Sequence, residues 1–157
     1  MNETDFKVYY DHLIQTYAED NVIHGDWDEN EAFDLAKFQM KALLPNGLNS
    51  SDHYLFSLFH EKLNMNIGQL WVQIQEIKTT KKAFIFDIEI FDVFRGKGFG
   101  TEAIKVLEEW LIASGVKSLG LHVYASNPVA RELYLKSGFT DMSYNMVKTL
   151  NITPKGD

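Results

Sequence analysis

The sequence predicts a single α/β domain built around a mixed sheet. Two helical segments come first, a set of antiparallel strands comes next, and the chain closes in the order strand, helix, strand, helix, strand. The expected sheet is mostly antiparallel, with a central parallel strand pair and flanking helices. A chain of 157 residues is long enough for one domain with a sizeable core.

The two opening segments have the three-and-four spacing of helices that bury one face. In residues 4–22 this spacing is carried by Phe6, Tyr9, Tyr10, Leu13, Ile14 and Tyr17. A polar connection containing Gly25 leads to a second helix, from about Glu29 to Leu44. The breakers Pro45-Asn46-Gly47 end that helix.

After the second helix, apolar residues recur at every second position, which is typical of strands. Residues 53–62 and 66–77 alternate apolar with polar side chains, and Gly68 marks a candidate bulge. Residues 79–82 are polar and predict a hairpin turn. Residues 83–91 are mostly apolar, so we expect a third strand buried on both faces.

The C-terminal half alternates helices with strands. A helix is expected from about Gly98 to Ser114, closed by Gly115, and a strand over 118–126. Asn127 and Pro128 predict the cap and first turn of a helix that runs to Lys136 and ends at Gly138. A last strand is expected over 139–150, and residues 83–126 should form a right-handed parallel crossover.

Composition excludes several classes of function. The formal charge of −7 argues against a nucleic-acid partner and leaves room for cationic small molecules such as amines. The absence of cysteine excludes disulfides, cysteine zinc sites and a cysteine nucleophile. No apolar run is long enough to span a membrane and the N-terminus does not resemble a signal peptide, so the expected location is the cytoplasm.

A glycine-rich segment, FRGKGFGTEA, lies between a predicted strand and a predicted helix. Its spacing fits neither G-x-G-x-x-G, the dinucleotide fingerprint, nor the phosphate-binding P-loop. Amide groups at a helix N-terminus, with Arg95 and Lys97 beside them, instead favour an anion site. The alternative is a glycine turn that binds no ligand.

Two motifs resemble the GNAT acetyltransferases. Arg95-Gly96-Lys97-Gly98-Phe99-Gly100 fits the family's [QR]-x-x-G-x-[GA], and NPVARELYLKSGF fits its N-x-x-A-x-x-x-Y-x-x-x-G-F. The resemblance covers roughly Met65 to Lys148. It implies one acetyltransferase domain over 1–157, with residues 1–48 as the helical acceptor side and 52–149 as the sheet and acetyl-CoA-binding core. The family's fold usually opens with a strand ahead of the first helix, whereas this sequence starts directly with a helical pattern; either that strand is missing here or another segment covers the sheet edge.

The resemblance implies transfer of an acetyl group from acetyl-CoA to an amine, without a metal. A strand N–H near Ile90 or Phe91 would polarise the thioester carbonyl. The implied acetyl-CoA contacts are Phe91, Val93, Arg95, Gly96, Lys97, Gly98, Phe99, Gly100, Thr101, Asn127 and Tyr134.

The family's general acid corresponds to Tyr134, for which a core tyrosine is the alternative. Asp87 and Glu89 share one face of a strand that should be interior, where carboxylates are costly without a task. We expect Glu89 to be the base, directly or through water, and Asp87 to help hold a cationic acceptor; a purely structural pair is the alternative. Trp27, in an acidic loop, is a further candidate acceptor contact.

The acceptor itself stays open, between a small-molecule amine and a peptide amine. A non-catalytic acyl-CoA-binding sensor or partner module is the competing function. The histidines show no spacing typical of a metal site. An exposed sheet edge would be compatible with a homodimer.

Overall fold

The computed structural model describes residues 1–148 and 150. Its helices and strands are α1 (Glu3–Ile23), α2 (Glu29–Leu43), β1 (His53–His60), β2 (Met65–Ile77), β3 (Thr80–Ile90), α3 (Phe99–Ala113), β4 (Val116–Leu121) and α4 (Pro128–Lys136). Short 3₁₀ turns lie at Gly47–Asn49 and Asp92–Phe94.

Both N-terminal helices form where the sequence predicts them, each with a side-chain cap. The Asn2 carboxamide accepts from the N–H of Asp5 at 2.8 Å, and the Asp28 carboxylate accepts from the N–H of Asn30 at 2.9 Å. These caps satisfy amide donors that the first turn leaves without a helical acceptor. The two helices pack on each other and on one face of the sheet through their apolar sides.

The sheet order is β1-β2-β3-β4. The first two pairings are antiparallel, and β4 runs parallel to β3 after the α3 crossover. The predicted fold class, a mixed and mostly antiparallel sheet with a parallel pair and flanking helices, is confirmed. The hairpin turn lies earlier than the predicted 79–82, because the chain reverses at Lys78 (φ 60°) and Thr79, and Lys81 and Lys82 already belong to β3.

Helices cover both faces of β3. On the α1 and α2 face Trp71 and Phe86 stack with ring centroids 4.5 Å apart. On the α3 face Ile85 and Leu70 pack with Leu107 and others. The expected burial of this strand on both faces is only partial, because Ala83 and Ile85 are buried on the α3 face while Phe84 stays 36% exposed and Phe86 is half-buried.

Two irregularities in the sheet change which way its side chains face. The register of β1 and β2 shifts next to Gly68, as the sequence predicts, because Leu58 pairs with Gly68 and Phe59 with Asn66. The register of β2 and β3 shifts at Phe86, since Trp71 pairs with Asp87 but Val72 with Ile85. The extra residue reverses the alternation of side chains, so Asp87 and Glu89 face α1.

Two expectations for the C-terminal part are wrong. β4 ends at Leu121 instead of residue 126, and residues 139–148 contain no strand. The alternating Met142, Tyr144 and Met146 are all at least 75% exposed, and Thr149 lies outside the described residues. An alternating pattern becomes a strand only where a neighbour completes the hydrogen-bond ladder. Over the part of the chain that is described, no helix is long and apolar enough to cross a membrane.

Candidate active site

β3 and β4 diverge, and the gap between them is the β3–β4 opening. They pair only as far as Ile85 and Leu121, while β3 continues to Ile90 along β2. The N–H of Phe91 donates to the carbonyl of Ile67 at 2.9 Å, so that amide is already engaged. Amides of an antiparallel strand alternate in direction, and the N–H of Ile90 therefore points into the opening.

A bare helix N-terminus lies beside the β3–β4 opening. Gly98 caps α3 with φ 85° and offers no side-chain acceptor, so the first amides of α3 lack a side-chain cap. Gly96 also has a positive φ, 72°, and none of the described residues lies within 4 Å of a Cβ built at either glycine. The turn can therefore admit a bulky anion without a clash.

The other residues of the loop have more structural tasks than the sequence suggests. The Arg95 guanidinium donates to the carbonyl of Ile90 at 2.8 Å and pairs with Asp92 at 2.8 Å. The Lys97 ammonium donates to the carbonyl of Val93 at 2.8 Å. A Cβ at Gly100 would lie 3.1 Å from Leu133, so this glycine lets α3 and α4 approach each other.

Tyr134 lies on α4, which the sequence places correctly. The Asn127 carboxamide caps this helix by accepting from the N–H of Ala130 at 3.1 Å. The Tyr134 ring packs edge-on against Phe139, at 5.7 Å between centroids. Burial raises the pKa of its hydroxyl above the usual range, and the charge of Asp87 raises it further.

Asp87 is paired with a residue that sequence reasoning did not single out as functional. The Tyr9 hydroxyl donates to Asp87 Oδ2 at 2.8 Å, joining α1 to β3. Burial raises the pKa of Asp87 to about 6, although the Tyr9 hydrogen bond lowers it. Tyr9 matches the apolar face of a helix, and nothing local distinguishes it from a core tyrosine.

Glu89 lies at the edge of the same buried group, with a quarter of its side chain exposed. Gln69 Nε2 donates to Glu89 Oε2 at 2.6 Å, and His12 Nε2 lies 3.5 Å from the same oxygen. Arg95 Nη2 is 3.7 Å from Glu89 Oε1. His12, on α1, is the second residue that sequence reasoning did not select.

A half-open cleft of about 430 Å³ separates the N-terminal half of α1 from the strands. We name it the α1 cleft; it is lined by Asp5, Val8, His12, Ser57, Gln69 and Glu89, among others. Phe91 also borders it, so the end of β3 contributes to both the α1 cleft and the β3–β4 opening. A molecule in the cleft would meet Glu89 within one residue of the free Ile90 amide.

The predicted acceptor contact Trp27 lies elsewhere. Its ring packs edge-on against Tyr17, at 5.3 Å between centroids, as part of the core of α1 and α2. The neighbouring His24 stacks on Tyr124 at 3.7 Å and contacts Ser126 Oγ at 2.8 Å. This loop therefore ties α1 to the segment after β4, and the acceptor role of Trp27 stays a prediction. Across residues 1–148 and 150, no group of three histidine, aspartate or glutamate side chains could hold a metal ion.

Replacing Asp87 with asparagine should change how stability depends on pH. The pKa of Asp87 is about 6 in the folded chain against an ordinary 3.8, so the folded state holds the proton more tightly. The free energy of unfolding therefore falls as pH rises through this interval, by roughly 2–3 kcal/mol. Asparagine does not titrate and still accepts from Tyr9. The stability of Asp87→Asn relative to wild type should therefore rise from about pH 4 to about pH 7, an interval that the folded and unfolded pKa values of Asp87 set.

Urea unfolding of both proteins across that interval measures the difference. Asp34→Asn, an exposed aspartate on α2, is the control and should keep the wild-type pH dependence. A constant difference between Asp87→Asn and wild type at every pH would contradict the raised pKa.

Comparison with known proteins identifies the family of this chain. The sequence model of the Acetyltransferase (GNAT) family matches residues 11–139. YdgE of Bacillus subtilis (strain 168), named an uncharacterized N-acetyltransferase, is 33% identical over 150 residues, covering 96% of this chain and 95% of YdgE. YycN from the same organism, named likewise, is 35% identical over 152 residues, covering 96% of each chain.

Solved structures show the same fold. The crystal structure of YycN superposes with a TM-score of 0.91 at 33% identity, covering 97% of this chain and 96% of that one. The aminoglycoside antibiotic 6'-N-acetyltransferase from Acinetobacter baumannii shares the fold at a TM-score of 0.53 and 16% identity, over 76% of this chain and 82% of that one. With a family match over most of its length and two relatives above 30% identity, this chain is an acyltransferase of the GNAT N-acetyltransferase family, whose co-substrate is acetyl-CoA.

Proposed function

We propose that this enzyme transfers the acetyl group of acetyl-CoA to a primary amine by direct attack in a ternary complex. One observation carries the proposal: a bare helix N-terminus lies beside the β3–β4 opening, Asp87 and Glu89 lie on the stretch of β3 that β4 leaves unpaired, and α4, which carries Tyr134, approaches the end of β3 at Gly100. Transfer from acetyl-CoA needs both: an anion site for the phosphates of CoA, and titratable groups around the reacting carbonyl carbon. The cytoplasm remains the expected location.

The residues of the loop suit the phosphate end of acetyl-CoA. The amides of Phe99, Gly100 and Thr101 begin α3, where the helix dipole favours an anion. Arg95 and Lys97 keep two positive charges next to this turn.

The β3 edge that β4 leaves free suits the pantetheine arm. Phe91 and Val93, just after β3, are its proposed backbone partners. Asn127 contributes by capping α4 and thereby placing Tyr134.

The reacting carbonyl needs a donor where negative charge develops. The N–H of Ile90 points into the opening, whereas that of Phe91 already bonds Ile67. We therefore assign the oxyanion donor to Ile90, one of the two positions that the sequence suggested. A preorganised amide in this position strengthens its hydrogen bond as the oxygen gains charge.

Protons move at both ends of the reaction. Glu89 takes the proton of the attacking ammonium, directly or through water, because its carboxylate borders the α1 cleft. His12 Nε2 lies 3.5 Å from the same carboxylate. Asp87 is more buried and already accepts from Tyr9, so it supplies charge that favours a cationic acceptor. As the new C–N bond forms and the C–S bond breaks, Tyr134 gives its proton to the departing thiolate, and the second proton that the nitrogen loses restores the Tyr134 hydroxyl through solvent.

Acetyl-CoA should stabilise the folded protein against heat. A ligand at about 100 times its dissociation constant adds roughly 2.7 kcal/mol to the free energy of unfolding. Thr101→Glu should abolish most of this gain, because it places a carboxylate among the proposed phosphate donors. The same carboxylate favours the start of α3, so the variant should fold as stably as wild type without ligand.

Differential scanning fluorimetry with and without acetyl-CoA provides the measurement. The matched control is Thr79→Glu, the same substitution at the exposed β2–β3 turn, which lies at the opposite end of β3 from the opening. Equal stabilisation of both variants by acetyl-CoA would refute the phosphate site. No stabilisation of wild type at millimolar acetyl-CoA would refute the proposed function altogether.

A further inference from the structure

The α1 cleft carries acidic groups at two well-separated places. Asp5 and His12 both line it from α1, seven positions apart, and Glu89 lies 3.5 Å from His12. Two turns of an α-helix span about 10 Å, at 1.5 Å per residue. One carboxylate therefore lies beside the Ile90 amide and the other about 10 Å farther along the cleft.

An apolar surface lies between these two carboxylates. Val8 follows Asp5 by three positions and precedes His12 by four, so all three lie on the same side of α1. Val8 lines the cleft and is 70% exposed, so its side chain offers an apolar surface to an occupant. The order acid, apolar, acid along the cleft mirrors the order ammonium, methylenes, ammonium of a linear diamine.

The charges around the cleft agree with a cationic occupant. In the described part of the chain, Asp5 makes no ion pair. Its carboxylate accepts a hydrogen bond from the Ser57 hydroxyl at 3.5 Å. Among residues 1–148 and 150, those that line the cleft include no lysine or arginine, although Arg95 Nη2 lies 3.7 Å from Glu89 Oε1 at its edge. The amino nitrogen of Met1 does reach it, where it contacts the carbonyl of Leu55 at 3.5 Å. Two carboxylates in a half-open, partly apolar cleft favour cations more than isolated surface charges would.

We propose that the acceptor is a linear aliphatic diamine or polyamine, bound with its reacting nitrogen at Glu89 and a second ammonium at Asp5. The position of the reacting nitrogen rests on the proposed function, whereas the binding of the second ammonium at Asp5 is independent of it. An extended chain advances about 3.3–3.6 Å over three bonds, so about eight or nine bonds between the nitrogens span the cleft, and the seven bonds of hexamethylenediamine reach about 8 Å.

Calorimetric titration tests the binding without requiring turnover. Wild-type protein is titrated at low ionic strength with hexamethylenediamine, with ethylenediamine as the short diamine and hexylamine as the monoamine. We expect hexamethylenediamine to bind about three- to fivefold more tightly than either of the other two amines. This ratio corresponds to the free energy that one exposed ion pair contributes. Raising the salt concentration should reduce this preference because screening weakens the second contact.

Asp5→Asn tests the location of the second site. It should bring the affinity for hexamethylenediamine down to that for hexylamine, and the same ratio should appear in kcat/KM for acetylation. Glu3→Gln is the matched control, since it removes an exposed carboxylate from the same helical turn outside the cleft lining. Thermal unfolding establishes that both variants are folded.

The outcomes separate this inference from the proposed function. Acetylation of monoamines and diamines with equal kcat/KM, or an equal loss for both in Asp5→Asn, would overturn the diamine assignment and leave the acetyltransferase intact. Tighter binding of hexamethylenediamine that depends on Asp5 but without acetyl transfer would support the cation site and count against the proposed reaction.

Discussion

Tyr134→Phe is expected to lower kcat by about 100-fold or more, which is the usual contribution of one general acid. The hydroxyl is the proposed donor to the leaving thiolate, and its raised pKa keeps it protonated at neutral pH. Phenylalanine keeps the packing against Phe139, so the fold and the affinity for acetyl-CoA should survive. The measurement is steady-state thiol release with a saturating amine, together with acetyl-CoA titration by fluorimetry.

Tyr144→Phe is the control for this substitution, because Tyr144 is 75% exposed and its hydroxyl bonds the nearby Asp141, at 2.9 Å. It should retain wild-type kcat. If Tyr134→Phe retained wild-type kcat while binding acetyl-CoA normally, the proton would come from elsewhere and Tyr134 would be a packing residue.

Glu89→Gln should lower kcat/KM by about 100-fold for alkylamines, which are protonated at neutral pH and must lose a proton before attack. Glutamine keeps the size of the side chain and can still accept from Gln69, so the change removes the base with little disturbance. For aniline, which is unprotonated at neutral pH, the loss should be much smaller. The pH–rate profile for hexylamine should also change, because glutamine cannot accept a proton.

Glu61→Gln, in the exposed turn between β1 and β2, serves as the control and should behave as wild type. An equal loss for hexylamine and aniline would indicate that Glu89 positions the substrate or the strand instead of accepting a proton. Unchanged turnover and an unchanged profile would remove Glu89 from the mechanism.

The sequence predicts most of the fold, because its local signals agree with the tertiary contacts. Asn127 is a helix cap in both the pattern and the structure, and the alternation of residues 66–77 corresponds to β2. The errors arise where a strand needs a neighbour. β4 ends where β3 diverges from it, and the alternating residues after Phe139 have no described partner strand.

The candidate site is predictable only in the part that motifs carry. Tyr134 and the glycine turn follow from the family resemblance, and Asp87 and Glu89 from carboxylates in an apolar strand. Tyr9 and His12 could not be found in this way, since Tyr9 is 78 residues from Asp87 in the chain and both belong to a helix with an ordinary pattern. The bulge at Phe86, which turns the two carboxylates toward α1, likewise leaves no clear mark in the sequence.

The most direct test of acetyl transfer follows the acetyl group itself. Purified protein is incubated with acetyl-CoA and either hexylamine or hexamethylenediamine, while free thiol is recorded and the amine is analysed by mass spectrometry. We predict thiol release that depends on both enzyme and amine, matched mole for mole by N-acetylated amine, and strongly reduced in Tyr134→Phe. Acetyl-CoA binding without any acetylated amine, or thiol release that is the same with and without amine, would contradict the proposed acetyl transfer.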